Sequence, residues 1–144
     1  NWLMGTYGPT KTPERMTTRY NFLIADDIIF NRFLLKEILA ELTNQAHEAQ
    51  NGREVIEVLK HHPIDIILMD IEMPVMNGMD TTRYIREQLE SPLNKTPVIA
   101  LTAHNPSDFF THFQKAGFDH LITKPYSIEK IIQVIRSLNN LKSP

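Results

Sequence analysis

The chain contains no cysteine, which removes disulfide staples, thiolate nucleophiles and the usual zinc sites from consideration. No apolar stretch approaches the roughly 18 residues that a membrane-spanning helix requires. Asn1 is not followed by the basic segment and apolar run of a secretory signal, so a soluble, cytoplasmic protein with no membrane partner is expected. Excess charge of either sign is also missing. Fifteen Lys and Arg against seventeen Asp and Glu leave a formal charge of −2, and the basic residues are scattered rather than gathered into the stripe a nucleic-acid surface needs. Nucleic acid is therefore not expected as a direct partner. With 144 residues the chain has room for one domain with a core of ordinary size.

Residues 1–19 hold glycine, proline, threonine and the single tryptophan, with neither helical nor strand periodicity, and read as a linker or tag remnant. From Tyr20 to about residue 141 short apolar runs alternate with helical patterns, and 142–144 form a tail. Phe22-Leu23-Ile24-Ala25 is a buried strand cut off by Asp26-Asp27. Phe30, Phe33, Leu34, Ile38 and Leu42 recur at helical spacing and predict a helix burying that face. A weak strand near His47-Glu48-Ala49 precedes a helix that Asn51 caps, with Glu54 at the capping-box position and Val55, Val58 and Leu59 on its inner face. Ile64 to Met69 is the strongest strand, nearly continuous and apolar as a central strand covered on both sides should be, and it ends at Asp70.

Asn77-Gly78-Met79-Asp80 starts a third helix carrying Thr82, Ile85 and Leu89. Pro97 to Leu101 gives a fourth strand. Asn105, Pro106 and Asp108 suit a helix start, Phe109, Phe110, Phe113 and Ala116 that helix's core face, and Gly117 its end. One of the adjacent Phe109 and Phe110 rings should face outward. A strand around Leu121-Ile122-Thr123 and a last helix, capped by Ser127 and buried through Ile128, Ile131, Ile132, Ile135 and Leu138, complete five βα units. Glu129, Lys130 and Arg136 form its solvated face. Right-handed crossovers of that number give an open, parallel, doubly wound α/β sheet with its ligand site at the carboxyl ends of the strands.

The polar residues that interrupt the apolar runs fall at those ends: Asp26 and Asp27 after the first strand, Asp70 after the third, Thr102 after the fourth, Lys124 after the fifth. Sheet topology lets them meet although 43 (27 to 70), 32 (70 to 102) and 22 (102 to 124) positions separate them. Carboxylates brought so close repel by roughly 4 kcal/mol per pair at 4 Å with an effective dielectric near 20. Such a cluster binds a cation or takes up protons. Mg²⁺, a hard ion that takes oxygen ligands and keeps several waters, suits two or three carboxylates plus a phosphate oxygen. Asp70 can then act as nucleophile on phosphorus, with the Lys124 ammonium and Thr102 hydroxyl meeting the oxygens of the arriving group.

With these residues in order, the chain resembles the receiver domain of two-component response regulators over about residues 20 to 141. The resemblance rests on Leu-Ile-Ala-Asp-Asp at 23–27, Met-Asp-Ile-Glu-Met-Pro-Val-Met-Asn-Gly at 69–78, Pro-Val-Ile-Ala-Leu-Thr-Ala at 97–103 and Thr-Lys-Pro at 123–125. It implies a flavodoxin-like (βα)5 sheet in strand order 2-1-3-4-5. It also implies Asp70 as phosphoacceptor, Asp27 as a direct Mg²⁺ ligand, Asp26 acting through a metal-bound water, and Glu72 offering its backbone carbonyl. Thr102 and Lys124 contact the phosphoryl oxygens, and the Lys124-Pro125 bond is cis. A histidine kinase, free-standing or hybrid, or a histidine phosphotransfer protein is the implied donor. The fourth helix, fifth strand and fifth helix are the implied interaction and homodimer face.

The chain departs from the family pattern at Leu121, where many receivers carry Tyr or Phe, so the usual aromatic relay is not expected to operate here. Ile28 stands where a polar residue is frequent. Glu72 and His104 occupy positions that set how readily water reaches the phosphoryl group, and His104 and His120 are read as rim or surface residues rather than ligands. Three alternatives compete: a degenerate receiver used for docking, an aspartyl-phosphate phosphatase, and a flavin-binding flavodoxin. Glu72 in place of a second aspartate argues against the phosphatase, and the acidic loop after the first strand argues against the flavodoxin.

Overall fold

The computed structural model describes residues 18–103 and 112–142. Five strands carry the fold: β1 Tyr20–Ala25, β2 Thr43–Ala49, β3 Ile66–Asp70, β4 Val98–Thr102 and β5 His120–Thr123. They alternate with helices α1 Ile29–Ile38, α2 Gly52–His61, α3 Gly78–Gln88 and α5 Ile128–Lys142, and residues 112–116 are the described part of α4. Every strand pairing is parallel and the spatial order is β2-β1-β3-β4-β5, the doubly wound 2-1-3-4-5 sheet expected. No helix among the described residues is long and apolar enough to cross a membrane.

Strand periodicity of two builds two cores from one sheet. Phe22, Ile24, Ile66, Leu68, Ile99 and Leu101 point to one side, where Leu35 and Leu39 of the α1 segment and Ile131, Ile135 and Leu138 of α5 cover them. Leu23, Ala25, Ile67, Met69, Val98 and Ala100 point to the other and meet Val55 and Leu59 of α2, Ile85 of α3, and Phe113 and Ala116 of α4. Both faces being covered explains the unbroken apolar runs of β3 and β4, every residue of which is buried. Phe113 also meets Phe118 edge-on at 5.8 Å.

Helix starts follow the capping residues. Asn51 Oδ1 accepts from Glu54 N at 3.0 Å, and Glu54 Oε1 reaches back to Gln50 N at 2.8 Å, one residue before the usual capping-box donor. Asn77 Oδ1 accepts from Asp80 N at 2.8 Å, and Ser127 Oγ from Lys130 N at 3.2 Å. Gly117 closes α4 with a φ of +107°, a left-handed conformation that glycine adopts without Cβ strain. Residues 1–17 and the expectations placed on His104, Asn105, Pro106, Asp108, Phe109 and Phe110 lie outside the described residues.

Two expectations need correction. The buried stripe of α1 is Arg32 and Leu35, continued by Leu39, whereas Phe30, Phe33 and Leu34, expected inside, are exposed. Ile38, between the inner and outer stripes, and Leu42, both also expected inside, are partly buried against the core. The inner stripe is chosen because the Arg32 guanidinium finds acceptors on β1 and β2, in Asp26 O and Glu48. β2 runs over seven residues rather than three, because an edge strand with Asn44, Gln45 and Glu48 exposed lacks the apolar signal of an inner one.

Arg86 ties the far end of the sheet together. Its guanidinium donates to Gly117 O at 2.9 Å, Asn94 O at 3.0 Å, Thr96 O at 2.8 Å and Asp119 Oδ2 at 3.0 Å. Arg86→Leu leaves three part-buried carbonyls without their donor, and a loss of about 2–3 kcal/mol is expected at roughly 1 kcal/mol for each. Urea unfolding measures it, with the midpoint falling and the slope unchanged.

Candidate functional site

β1 and β3 lie side by side with Ala25 opposite Met69, so the residues that end them, Asp26 and Asp70, emerge together. Asp26 is fully buried and Asp70 nearly so, while Asp27 is exposed. Asp26, Asp27 and Asp70 each offer a carboxylate oxygen, and the three oxygens all lie within 4.8 Å of one another. On the other flank Thr102 pairs with Thr123 across β4 and β5, and Lys124 N donates to Thr102 O at 2.7 Å. The Lys124 side chain turns back to place Nζ 3.6 Å from Asp70 Oδ1. The Lys124-Pro125 peptide bond is cis.

The loop after β3 is folded against the acceptor strand. Glu72 N donates to Asp70 Oδ1 at 3.4 Å, and Gly78 N donates to Ile71 O at 2.8 Å. A Cβ on Gly78 would sit 2.6 Å from Asp70 O and 2.9 Å from Ile71 Cα, both backbone atoms that cannot give way locally. Glycine is therefore what lets α3 begin this close to Asp70.

Burial pushes the Asp70 carboxyl above its ordinary value and the neighbouring Asp26 adds to the rise, while the Lys124 ammonium and the Glu72 N–H oppose it. The half-buried Tyr126 phenol is pushed up to about 12, by burial first and then by Asp26 and Asp70. A raised carboxylate value means stability that is present below the unfolded-state value and lost as pH rises through the folded one. In metal-free buffer at neutral pH, Asp70→Asn is thus expected to melt above wild type. The gap should shrink as pH falls through the raised folded-state value toward the ordinary carboxylate value and be closed below it, and differential scanning calorimetry across pH checks it.

Of the residues expected at the site, the structure brings together Asp26, Asp27, Asp70 and the Lys124 ammonium; Thr102 is tied to Lys124 through its main-chain carbonyl and Glu72 to Asp70 through its main-chain N–H. Leu121, in place of an aromatic, stands opposite Ala100 in β5 and packs partly buried on the core. His120 is partly buried with Nε2 3.3 Å from Ser137 Oγ. Sequence reasoning passed over Asn31, Arg32 and Tyr126. Asn31 Nδ2 donates to Asp26 Oδ2 at 3.1 Å, Arg32 Nη1 to Asp26 O at 2.7 Å, and Tyr126 lines a small cavity with Asn31, Leu34 and Lys124. The available signal was an arginine in helical register with Leu35 and Leu39, a position where an unpaired charge is not tolerated.

A family model described as the response regulator receiver domain matches residues 22–136. The chain belongs to that family. This receiver domain is 34% identical over 118 residues to a stress response regulator protein 1 from Candida tropicalis, covering 79% of the chain and 44% of that relative. It is 35% identical to the chemotaxis protein CheY of Halobacterium salinarum, covering 78% of the chain and 91% of CheY. Among solved structures, the signal receiver domain of a signal transduction histidine kinase from Syntrophus aciditrophicus superimposes with a TM-score of 0.74. That domain is 30% identical, with 87% of this chain and 94% of that chain covered. The receiver domain spans less than half the length of the Candida relative. Receiver domains are phosphoacceptor signalling modules, and the phosphatase and flavin-binding readings give way to family membership.

Proposed function

We propose that Asp70 accepts a phosphoryl group from a phosphohistidine on a histidine kinase or phosphotransfer protein, and that the modified domain changes its protein contacts. The convergence of three carboxylate oxygens within 4.8 Å, with Lys124 Nζ 3.6 Å from Asp70, carries the reading. The donor set is all oxygen, which fits Mg²⁺ and not a histidine- or thiolate-bound metal. Asp27, Asp70 and the Glu72 carbonyl would hold the ion directly and Asp26 through water. Bound there, Mg²⁺ supplies positive charge that offsets both the attacking carboxylate and the incoming phosphoryl group.

An Asp70 carboxylate oxygen forms the new bond to phosphorus as the phosphorus–nitrogen bond to the donor imidazole breaks. The imidazole leaves with the electron pair and takes its proton from solvent. Lys124 neutralises one phosphoryl oxygen, and the Thr102 hydroxyl donates to another. Because Lys124 follows β5 and Thr102 ends β4, the group draws on both strand ends and so on the α4–β5–α5 face. Partner contact or homodimerisation through that face, in the cytoplasm, is part of the same reading. Sedimentation of the phosphorylated domain tests the dimer.

Intact-mass measurement after treatment with acetyl phosphate and Mg²⁺ tests the acceptor. The wild type gains one phosphoryl group and Asp70→Asn gains none. A gain on both proteins places the acceptor elsewhere, and a gain on neither makes the domain a degenerate receiver used for docking.

A further inference from the structure

The Asp26 carboxylate is not left to find its own orientation. Its Oδ1 accepts from Ile28 N at 2.9 Å and its Oδ2 from Asn31 Nδ2 at 3.1 Å. The main chain is held as firmly: Asp26 N donates to Ala49 O at 3.0 Å, and Asp26 O accepts from Arg32 Nη1 at 2.7 Å. Arg32 is itself fixed, because Nε donates to Glu48 Oε1 at 2.7 Å, and Lys36 Nζ meets the other oxygen, Glu48 Oε2, at 2.9 Å. Glu48 lies on β2 beside Ala49, so Arg32 joins the end of β1 to β2 at a second point.

The charges in this arrangement are sorted. The donors touching the Asp26 carboxylate are neutral amides, which orient it without cancelling its charge. The cation hydrogen-bonded to Asp26, Arg32, touches its carbonyl rather than its carboxylate, and its charge faces Glu48, whose carboxyl the Arg32 and Lys36 hydrogen bonds hold below its ordinary range. A cation-binding carboxylate needs this combination of fixed direction and undiminished charge. Outer groups that orient metal-binding side chains typically alter metal affinity about 10- to 100-fold when removed.

We propose that Asn31 and Arg32 are positioning residues for the acidic site, and that Glu48 keeps the Arg32 charge from competing with the bound cation. This rests on the reading of Asp26, Asp27 and Asp70 as the Mg²⁺ site. Asn31→Ala removes the orienting amide, and Glu48→Gln, at an exposed position, removes the counter-charge while leaving Arg32 a neutral acceptor. Mg²⁺ titrated calorimetrically into the unphosphorylated full chain is expected to bind Asn31→Ala about 10-fold more weakly than wild type. Binding to Glu48→Gln should be several-fold weaker, and Asp27→Asn should lose it.

Melting temperatures in metal-free buffer, taken in parallel, separate positioning from mere support of the fold. A structural role lowers them and leaves the dissociation constant unchanged. Binding by both Asn31→Ala and Glu48→Gln within twofold of wild type overturns the inference while the site reading stands. Absence of Mg²⁺ binding to wild type, or its persistence in Asp27→Asn, overturns the site reading and the inference with it.

Discussion

Lys124→Met is expected to slow phosphoryl uptake from acetyl phosphate by about 100- to 1,000-fold, the usual consequence of deleting one fixed donor aimed at developing negative charge. The Lys124 backbone has its own task, donating N–H to Thr102 O at 2.7 Å, and methionine keeps it. What is lost is the ammonium 3.6 Å from Asp70 Oδ1. The same change takes a positive charge out of an acidic cluster, so Mg²⁺ should bind more tightly even as transfer slows. A variant that merely collapses the site loses both together. Stopped-flow uptake rates paired with Mg²⁺ titration therefore distinguish the two, and an unchanged rate would remove Lys124 from any part in the transfer.

Much of the fold was legible because its signals are local. Apolar runs of strand length, Asn51, Asn77 and Ser127 at helix starts, and Gly117 at a helix end each act within a few residues. The site was legible for a different reason: polar residues that end inner strands are forced to one edge of the sheet, so Asp26, Asp70, Thr102 and Lys124 could be grouped without knowing any distance. Selection between two apolar stripes on α1 was not legible, since it depends on whether Arg32 finds acceptors on β1 and β2, a contact with Glu48 sixteen residues away. The same blindness hid Asn31, whose importance lies in where its amide points. The extent of β2 was hidden because its pairing with β1 supplies the hydrogen bonds that its polar side chains do not advertise.

The exposed apolar stripe of α1 bears on how a donor docks. Phe30 and Phe33 are 64% and 56% exposed, and with Ile28, Ile29 and Leu34 they form an apolar surface that begins directly after Asp27. Leu34 continues it to the cavity beside Lys124 and Tyr126. Apolar residues grouped in this way mark interaction surfaces more often than chance exposure, and this group borders the acceptor site. A donor bringing a phosphohistidine to Asp70 must cover neighbouring surface, and an apolar helical face would match this one. Phe30→Glu combined with Phe33→Glu is therefore expected to slow transfer from a phosphohistidine protein by about 100-fold or more, as truncating buried aromatic anchors costs roughly 2 kcal/mol each and 1.4 kcal/mol is tenfold. Acetyl phosphate needs no docking surface, so its rate should stay within about twofold of wild type, and the exposed positions should leave the melting temperature nearly unchanged. Equal losses with both donors would mean that the substitutions disturb Asp26 and Asp27 through the first turn of α1, and equal retention would place the donor on another face.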